Sequence, residues 1–460
     1  MWPPPVYARI TIVGRSCGSV YTVIRVRERF ERGSNCEGRH TARCTALLVF
    51  CGSRNRDSRV LRFCPVAYTL TAIATRDATN ENISGLTLKP ESSKFDPGTG
   101  NEGYPLKVAL IAAPFIPVPP QDYGGTELFV AHLAEELPRN GCQTIVYTNG
   151  ASTVGVERRW IYDRPEWPIR VPENAWLREL NHGAWAVADA IRDCDLIHIQ
   201  SAQGLVFSRY VDRPFVLTLH GPYSAELSAY YAHYPNAYYV SISDAQRERE
   251  VMPHLRTIYH GINLQDYQLV ERKQKYLSFI GRIAPVKGTH IAIEVAQRTG
   301  IPLKIAGEVQ PAHRDYFEQK VRPKLDGKLA EYVGPADLAA KNELLGNSMA
   351  MLFPIQWKEP FGLVMVEAMA CGTPVLATPG GSVREIVRDG VSGYVCRTVK
   401  DIVSRLRDLS IPPATVRRYV EENFSTEIMA QKYLALYREA LQGQQSDAGA
   451  GPQRLPATGD

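Results

Sequence analysis

From residue 106 onward, apolar runs and helix-period stretches alternate along the chain. LKVALIAAPF (106–115) is a continuous apolar run closed by Pro, as expected of a parallel strand buried on both faces. A Pro-rich loop and a Gly-Gly pair follow, then a helix over about 126–137. Strand-like segments recur at 143–148 (QTIVYT), 195–200 (DLIHIQ), 214–219 (PFVLTL) and 238–242 (YYVSI). The pattern restarts at 276–281 (YLSFIG) and continues through 302–306, 331–333, 350–354, 374–377 and 393–396. Alternation of this kind predicts α/β architecture: two Rossmann-like, doubly wound parallel-sheet domains. The expected boundaries are 105–265 for the first domain and 266–425 for the second. A last helix over 426–441 carries an apolar stripe of Ile428, Met429, Tyr433, Leu436, Tyr437 and Leu441. The Gly/Gln/Pro-rich tail, 442–460, is expected to be disordered.

Residues 1–104 differ in character. They show no sustained periodicity beyond short β-like pieces such as 20–26 (VYTVIRV), and 91–103 (ESSKFDPGTGNEG) has the composition of a linker. After Met1 the next methionine is Met252. We expect a disordered extension, read as an upstream addition from a misassigned start; the alternative is a genuine disordered leader.

Composition narrows the function classes. The chain of 460 residues carries a net charge of +5. The Lys/Arg surplus sits in the first hundred residues and the remainder is close to neutral, which argues against a nucleic-acid partner. Nine cysteines, an odd number with no Cys-x-x-Cys pair, argue against a disulfide framework or a zinc site. No apolar run approaches the roughly 18–20 residues of a membrane-spanning helix, and the N-terminus lacks the layout of a signal peptide. A cytoplasmic protein without a transmembrane segment is expected, with peripheral membrane contact left open.

Four segments carry candidate chemistry. In EPFGLVMVE (359–367), a helix opens after a buried strand, so the backbone N–H groups of Phe361, Gly362 and Leu363 form a natural anion site. Gly362 permits close approach, and Glu359 and Glu367 flank the site as acceptors for sugar and ribose hydroxyls. A capped helix with two surface glutamates is the plain alternative. In GRIAPVKG (281–288), Arg282 and Lys287 sit at a strand's carboxyl end and suit a diphosphate leaving group, against the alternative of a solvated basic turn. YGGTE (123–127) places Gly124 and Gly125 where backbone meets ligand, without the dinucleotide fingerprint; alone it reads as a tight turn. His220, in LTLHGPY, ends a strand, a functional position for a residue more often structural.

In their order and spacing these segments resemble the family 4 glycosyltransferases, retaining enzymes of the GT-B fold, over residues 106–441. YHGIN (259–263) is similar to the family's inter-domain motif, and NFS (423–425) to its segment before the final helix, which crosses back to the first domain. Thr426 stands where that family often has tryptophan. The resemblance implies a hexose moved from a nucleotide diphosphate-sugar to a hydroxyl acceptor, UDP-glucose first and GDP-mannose second. It also implies catalytic residues His220, Arg282, Lys287 and Glu359. Donor contacts would come from Gly124, Gly125, Arg282, Lys287, Phe361, Gly362, Leu363 and Glu367, with no cofactor and no metal. The two domains are expected to close on the donor.

Other readings remain. Asp193 and Asp195 form an Asp-x-Asp motif, but at the amino end of a strand, the wrong edge for ligands. A nucleotide-sugar epimerase or hydrolase would use similar phosphate-binding residues, and a catalytically silent sugar-binding scaffold would use the same fold. A dehydrogenase would need the missing glycine fingerprint. Tyr223, Tyr230, Tyr231 and Tyr234 are candidates for stacking on a sugar, with packing the more common use.

Overall fold

The computed structural model describes residues 20–23, 49–52, 64–66, 105–121, 124–169 and 172–449. The chain divides into two compact units, Met1–Gly98 and Thr99–Asp460. The described residues of the first form a small antiparallel sheet of β1 (Val20–Val23), β2 (Val49–Gly52) and β3 (Cys64–Val66). Otherwise the disordered leader expected over 1–104, and the tail beyond Gly449, lie outside the described residues.

The second unit holds two parallel sheets. The first contains β4 (Lys107–Ile111), β5 (Gln143–Tyr147), β6 (Glu157–Arg159), β7 (Leu196–Ile199), β8 (Phe215–Leu219), β9 (Tyr238–Ser241) and β10 (Leu255–Thr257). Its order is β10-β9-β8-β7-β4-β5-β6. The second contains β11 (Gln274–Ile280), β12 (Leu303–Ala306), β13 (Ala330–Gly334), β14 (Ser348–Phe353), β15 (Val375–Ala377) and β16 (Gly393–Val395), in the order β13-β12-β11-β14-β15-β16. In both, the chain adds its first three strands outward in one direction and then resumes on the other side of the first strand. The loops leaving β4 and β7, and those leaving β11 and β14, therefore diverge and open a crevice at the carboxyl ends.

Side chains alternate across each sheet. Val108 and Leu110 of β4 join one core cluster with Phe129 and Leu133 from the helix Gly125–Glu136. Their neighbours Ala109 and Ile111 join another with Ala186 and Ala190 from the helix Pro172–Ala190. The second sheet divides likewise: Met351 and Phe353 pack with the helix Leu363–Ala370, and Ala350 and Leu352 with the helix Thr289–Thr299. Burial on both faces explains why these strands read as unbroken apolar runs.

The last helix, Thr426–Gly449, runs eight residues past the expected end at Leu441. It returns to the first sheet, burying Met429, Tyr433, Leu436 and Tyr437 beside Val108 and Val216. The Tyr433 hydroxyl lies 2.9 Å from Thr218 Oγ1, and the Tyr437 hydroxyl 2.7 Å from His198 Nδ1. Ile428 and Leu441 fall at the edge of the stripe, half-buried. The chain crosses between sheets where residue 262 bridges residue 425. There Gly261 is obligatory, since a Cβ would lie 2.3 Å from the Ser425 carbonyl oxygen.

Candidate active site

A cleft of about 730 Å³ opens at the carboxyl ends of both sheets. The ten residues expected to bind the donor or act in catalysis all line it: Gly124, Gly125, His220, Arg282, Lys287, Glu359, Phe361, Gly362, Leu363 and Glu367. They arrive from four strand-to-helix loops and the first turns of the helices that follow, at the place the sheet topology prescribes.

The helix Leu363–Ala370 opens at Gly362, whose φ of 83° lies in the left-handed region. A Cβ there would meet Met365 Cε at 2.7 Å, so glycine also answers to packing. Ser382 Oγ donates to the Phe361 carbonyl oxygen (2.7 Å) and fixes the turn before the helix. Across the cleft, Gly124 precedes the helix Gly125–Glu136 with a φ of 150°. A Cβ on Gly125 would be 3.9 Å from Leu363 Cδ1, so the two helix starts face each other closely.

The carboxylates and cations are paired. Glu359 is buried, and its Oε2 accepts from Lys287 Nζ (2.5 Å) and from Trp357 Nε1 (2.8 Å). Lys287 ends the turn Pro285–Lys287, with its ammonium 4.9 Å from the Trp357 ring centre. Glu367 Oε1 accepts from Lys341 Nζ (2.8 Å) and from the Tyr267 hydroxyl (3.0 Å). Burial, with Glu367 beside it, holds the Tyr267 hydroxyl far above its ordinary range, so it stays a donor. Arg282 Nη1 lies 3.5 Å from Gln310 Oε1 and projects into the cleft after β11. The alternative of two surface glutamates at a capped helix is set aside, because both are buried and charge-paired.

His220 leaves β8 toward the cleft, with Nε2 2.9 Å from Gln200 Oε1. It stacks on His260 at 5.6 Å between ring centres and meets Phe129 edge-on. Burial among these rings pushes its pKa down to about 3, so the imidazole is neutral at ordinary pH. His260 is likewise held well below the usual value, first by burial.

Sequence reasoning missed Trp357, Lys341, Tyr267 and His260. Trp357 stands two residues before Glu359 and could have been flagged by proximity. Lys341 and Tyr267 meet Glu367 only through tertiary packing.

The other candidates take structural roles. Asp195 Oδ2 accepts from the Lys107 backbone N–H (2.8 Å), while Asp193 pairs with Lys107 and Arg159. Tyr231 and Tyr234 are buried in the first sheet's core, with Tyr230 packed against it. Tyr223 lies beneath Arg249, 4.2 Å from its ring centre to the guanidinium carbon. Among the described residues, no group of three or more His, Cys, Asp or Glu is placed to hold a metal, and no helix is long and apolar enough to cross a membrane.

Comparison with known proteins identifies the family. Residues 123–266 match Glycosyltransferase Family 4, and residues 263–424 match Glycosyl transferases group 1. This chain belongs to the family 4, group 1 glycosyltransferases of the GT-B fold. It is 23% identical over 403 residues to an uncharacterised glycosyltransferase of Methanocaldococcus jannaschii, covering 73% of this chain and 99% of the relative. The crystal structure of AviGT4, a glycosyltransferase involved in avilamycin A biosynthesis, superposes with a TM-score of 0.56 at 25% identity, covering 74% of this chain and 99% of that one. Anabaena HepE in complex with UDP and glucose shares the fold, with a TM-score of 0.58 at 18% identity over 73% of this chain and 100% of that one. As a family member, this glycosyltransferase is a retaining enzyme that uses a nucleotide-sugar.

Proposed function

We propose that this glycosyltransferase moves a hexose from a nucleoside diphosphate-hexose to a hydroxyl acceptor without a metal ion, with UDP-glucose the first candidate and GDP-mannose the second. The observation that supports this most is the pairing of Lys287 with Glu359 and of Lys341 with Glu367 around one helix start. Two anionic phosphates and a polyhydroxyl ring need cations and acceptors interleaved in this way. UDP and glucose bound to a protein of the same fold support the choice of donor.

In this reading Arg282 and Lys287 hold the diphosphate, with the amide groups at Phe361, Gly362 and Leu363 beside it. Lys287 exchanges Glu359 for phosphate as the donor enters, which frees Glu359 to accept from sugar hydroxyls. Glu367, held by Lys341 and Tyr267, accepts from the ribose. Gly124 and Gly125 bring backbone to the phosphates from the opposite wall. The bond from sugar C1 to phosphate oxygen breaks and the bond from C1 to the acceptor oxygen forms on the same face. The acceptor's proton passes to the leaving phosphate oxygen, and cations already in place stabilise the charge that develops there. His220, neutral and facing the sugar, hydrogen-bonds without adding charge. A cytoplasmic location fits a soluble nucleotide-sugar as substrate.

The test is a thermal-shift screen of the whole chain against UDP-, GDP- and ADP-sugars in the presence of EDTA. One nucleotide-sugar should stabilise the protein, and Glu367→Ala and Lys287→Ala should abolish the shift. A folded protein that responds to none of them, or only after a divalent metal is added, would refute the proposal.

A further inference from the structure

Two short helices meet beside the cleft, one from each sheet. The helix Asp244–Arg247 follows β9 of the first sheet, and the helix Val383–Ile386 follows β15 of the second. The first backbone amides of a helix have no partner within it. Here those of Asp244 and Ala245 donate to the two carboxylate oxygens of Glu385, at 2.7 and 2.8 Å. The Tyr259 hydroxyl donates to the same carboxylate (3.1 Å). A side chain carried by the second sheet thus caps a helix carried by the first.

Each helix is tied in turn to one side of the site. Gln246, buried on the helix Asp244–Arg247, donates through Nε2 to the carbonyl oxygens of Leu219 (2.7 Å) and Gly221 (2.6 Å), the residues on either side of His220. Its Oε1 accepts from the Ile242 amide (2.7 Å), so both ends of the carboxamide are fixed. On the other side, the turn before the helix Val383–Ile386 lies on the Glu359 loop. The Ser382 amide donates to the Glu359 carbonyl oxygen (3.0 Å), and Ser382 Oγ to that of Phe361 (2.7 Å). Gly381, with a φ of 56°, lies so close to the Glu359 backbone that a Cβ has no room. Ile242 packs with Phe361, Val383 and Ile386 and fills the space between. A continuous path of hydrogen bonds therefore runs from the His220 loop through Gln246 and Glu385 to the Glu359 loop, and neither Gln246 nor Glu385 lines the cleft.

We propose that Gln246 and Glu385 are positioning residues for the transfer reaction: together they set the separation of the His220 loop on one wall from the Glu359 loop on the other. The proposal rests on the placement of His220 and Glu359 about the donor sugar given above, and adds what holds the two in register. Groups that grip one sugar ring from opposite walls must keep their spacing, and a misplacement of about 1 Å can cost roughly 100-fold in rate. The nucleoside diphosphate is held mainly by Arg282, Lys287 and Glu367, all carried by the second sheet, so it is nearly blind to this spacing. The sugar, held from both walls, is not.

The experiment is calorimetry on the whole chain with the nucleotide-sugar that stabilises it, UDP-glucose first, and with the matching bare nucleoside diphosphate. Gln246→Met keeps the shape of the side chain and removes its hydrogen bonds; Glu385→Ala removes the cap. Each should weaken binding of the nucleotide-sugar about 5–10-fold, while the bare nucleotide changes by less than about two-fold. Glu385→Gln, which keeps one accepting oxygen, should recover part of the loss. The double variant Gln246→Met, Glu385→Ala should bind within about two-fold of the weaker single variant, because either change interrupts the same path. Losses that multiply in the double variant overturn the proposal. So does equal weakening of nucleotide-sugar and bare nucleotide, the mark of a general loss of structure, or unaltered binding in either single variant. A parent protein that binds no nucleotide-sugar refutes the donor assignment instead, and this proposal falls with it.

Discussion

Lys287 and Glu359 form an ion pair inside the cleft, with the indole N–H of Trp357 donating to the same carboxylate oxygen. Each thus neutralises the other inside the cleft. Removing either leaves a buried charge without its partner, and this costs more than the pair itself stabilises. Lys287→Ala should lower kcat/KM by about 100-fold or more, with loss of the donor thermal shift. Glu359→Gln should lower kcat by about 10–100-fold while retaining nucleotide binding. Steady-state kinetics alongside calorimetry with the bare nucleoside diphosphate separates the two. Equal loss of nucleotide affinity in both variants would contradict the division of roles.

His198 is fully buried between Tyr437 and Thr218, and burial together with the nearby His220 pushes its pKa down to about 3. The unfolded chain has an ordinary imidazole near 6.5. Between those values the unfolded state binds the extra proton, so stability falls as pH drops below about 6.5. The loss is fully developed only near pH 3 and amounts to at most roughly 5 kcal/mol. His198→Gln should therefore show a shallower fall in urea midpoint between pH 7 and pH 5. An unchanged slope would mean that His198 is not the group responsible.

Glu127 works in the opposite direction. Burial raises its pKa from 4.5 to about 7, against a smaller lowering by its own backbone amide. From pH 4.5 to 7 the folded state holds a proton that the unfolded state has lost, so stability declines as pH rises through that window. Above pH 7 the penalty is constant, at about 3 kcal/mol by the size of the shift. Glu127→Gln removes the ionisation while keeping the shape. It should be more stable than the parent by about 1–3 kcal/mol at pH 8, with the difference shrinking toward zero at pH 4.5. Chemical denaturation at both pH values reads this directly, and a pH-independent difference would refute it.

Much of this is legible in the sequence. The unbroken apolar runs gave the parallel strands because both faces of each sheet are covered, and strand-end positions placed all ten candidate residues in one cleft. What the chain did not show is which charges meet. Tyr267 and Lys341 reach Glu367 from 100 and 26 residues away, and no local pattern encodes such a meeting. The end of the last helix was also hidden. Gly443, Ser446 and Asp447 are poor helix formers, yet the helix continues to Gly449.

The passage between the two sheets offers the most demanding test of the fold. Gly261 N–H lies 3.1 Å from Met429 Sδ, and the Gly261 carbonyl oxygen lies 3.3 Å from His132 Nδ1. A methyl group at Gly261 would approach the Ser425 carbonyl oxygen within 2.3 Å and Thr426 Cα within 2.8 Å. Both neighbours are backbone, so no rotamer change relieves the clash, and the two crossing segments must separate. Gly261→Ala should destabilise the protein by about 2–3 kcal/mol, the upper range for overpacking a tight site. It should also lower kcat, because the same crossing carries His260 against both His220 and Phe361. Thermal unfolding and kinetics of this variant, beside Gly155→Ala where the added Cβ meets nothing within 4 Å, isolate the effect. Similar behaviour in the two variants would show that close approach at the crossing is not what holds the sheets in register for catalysis.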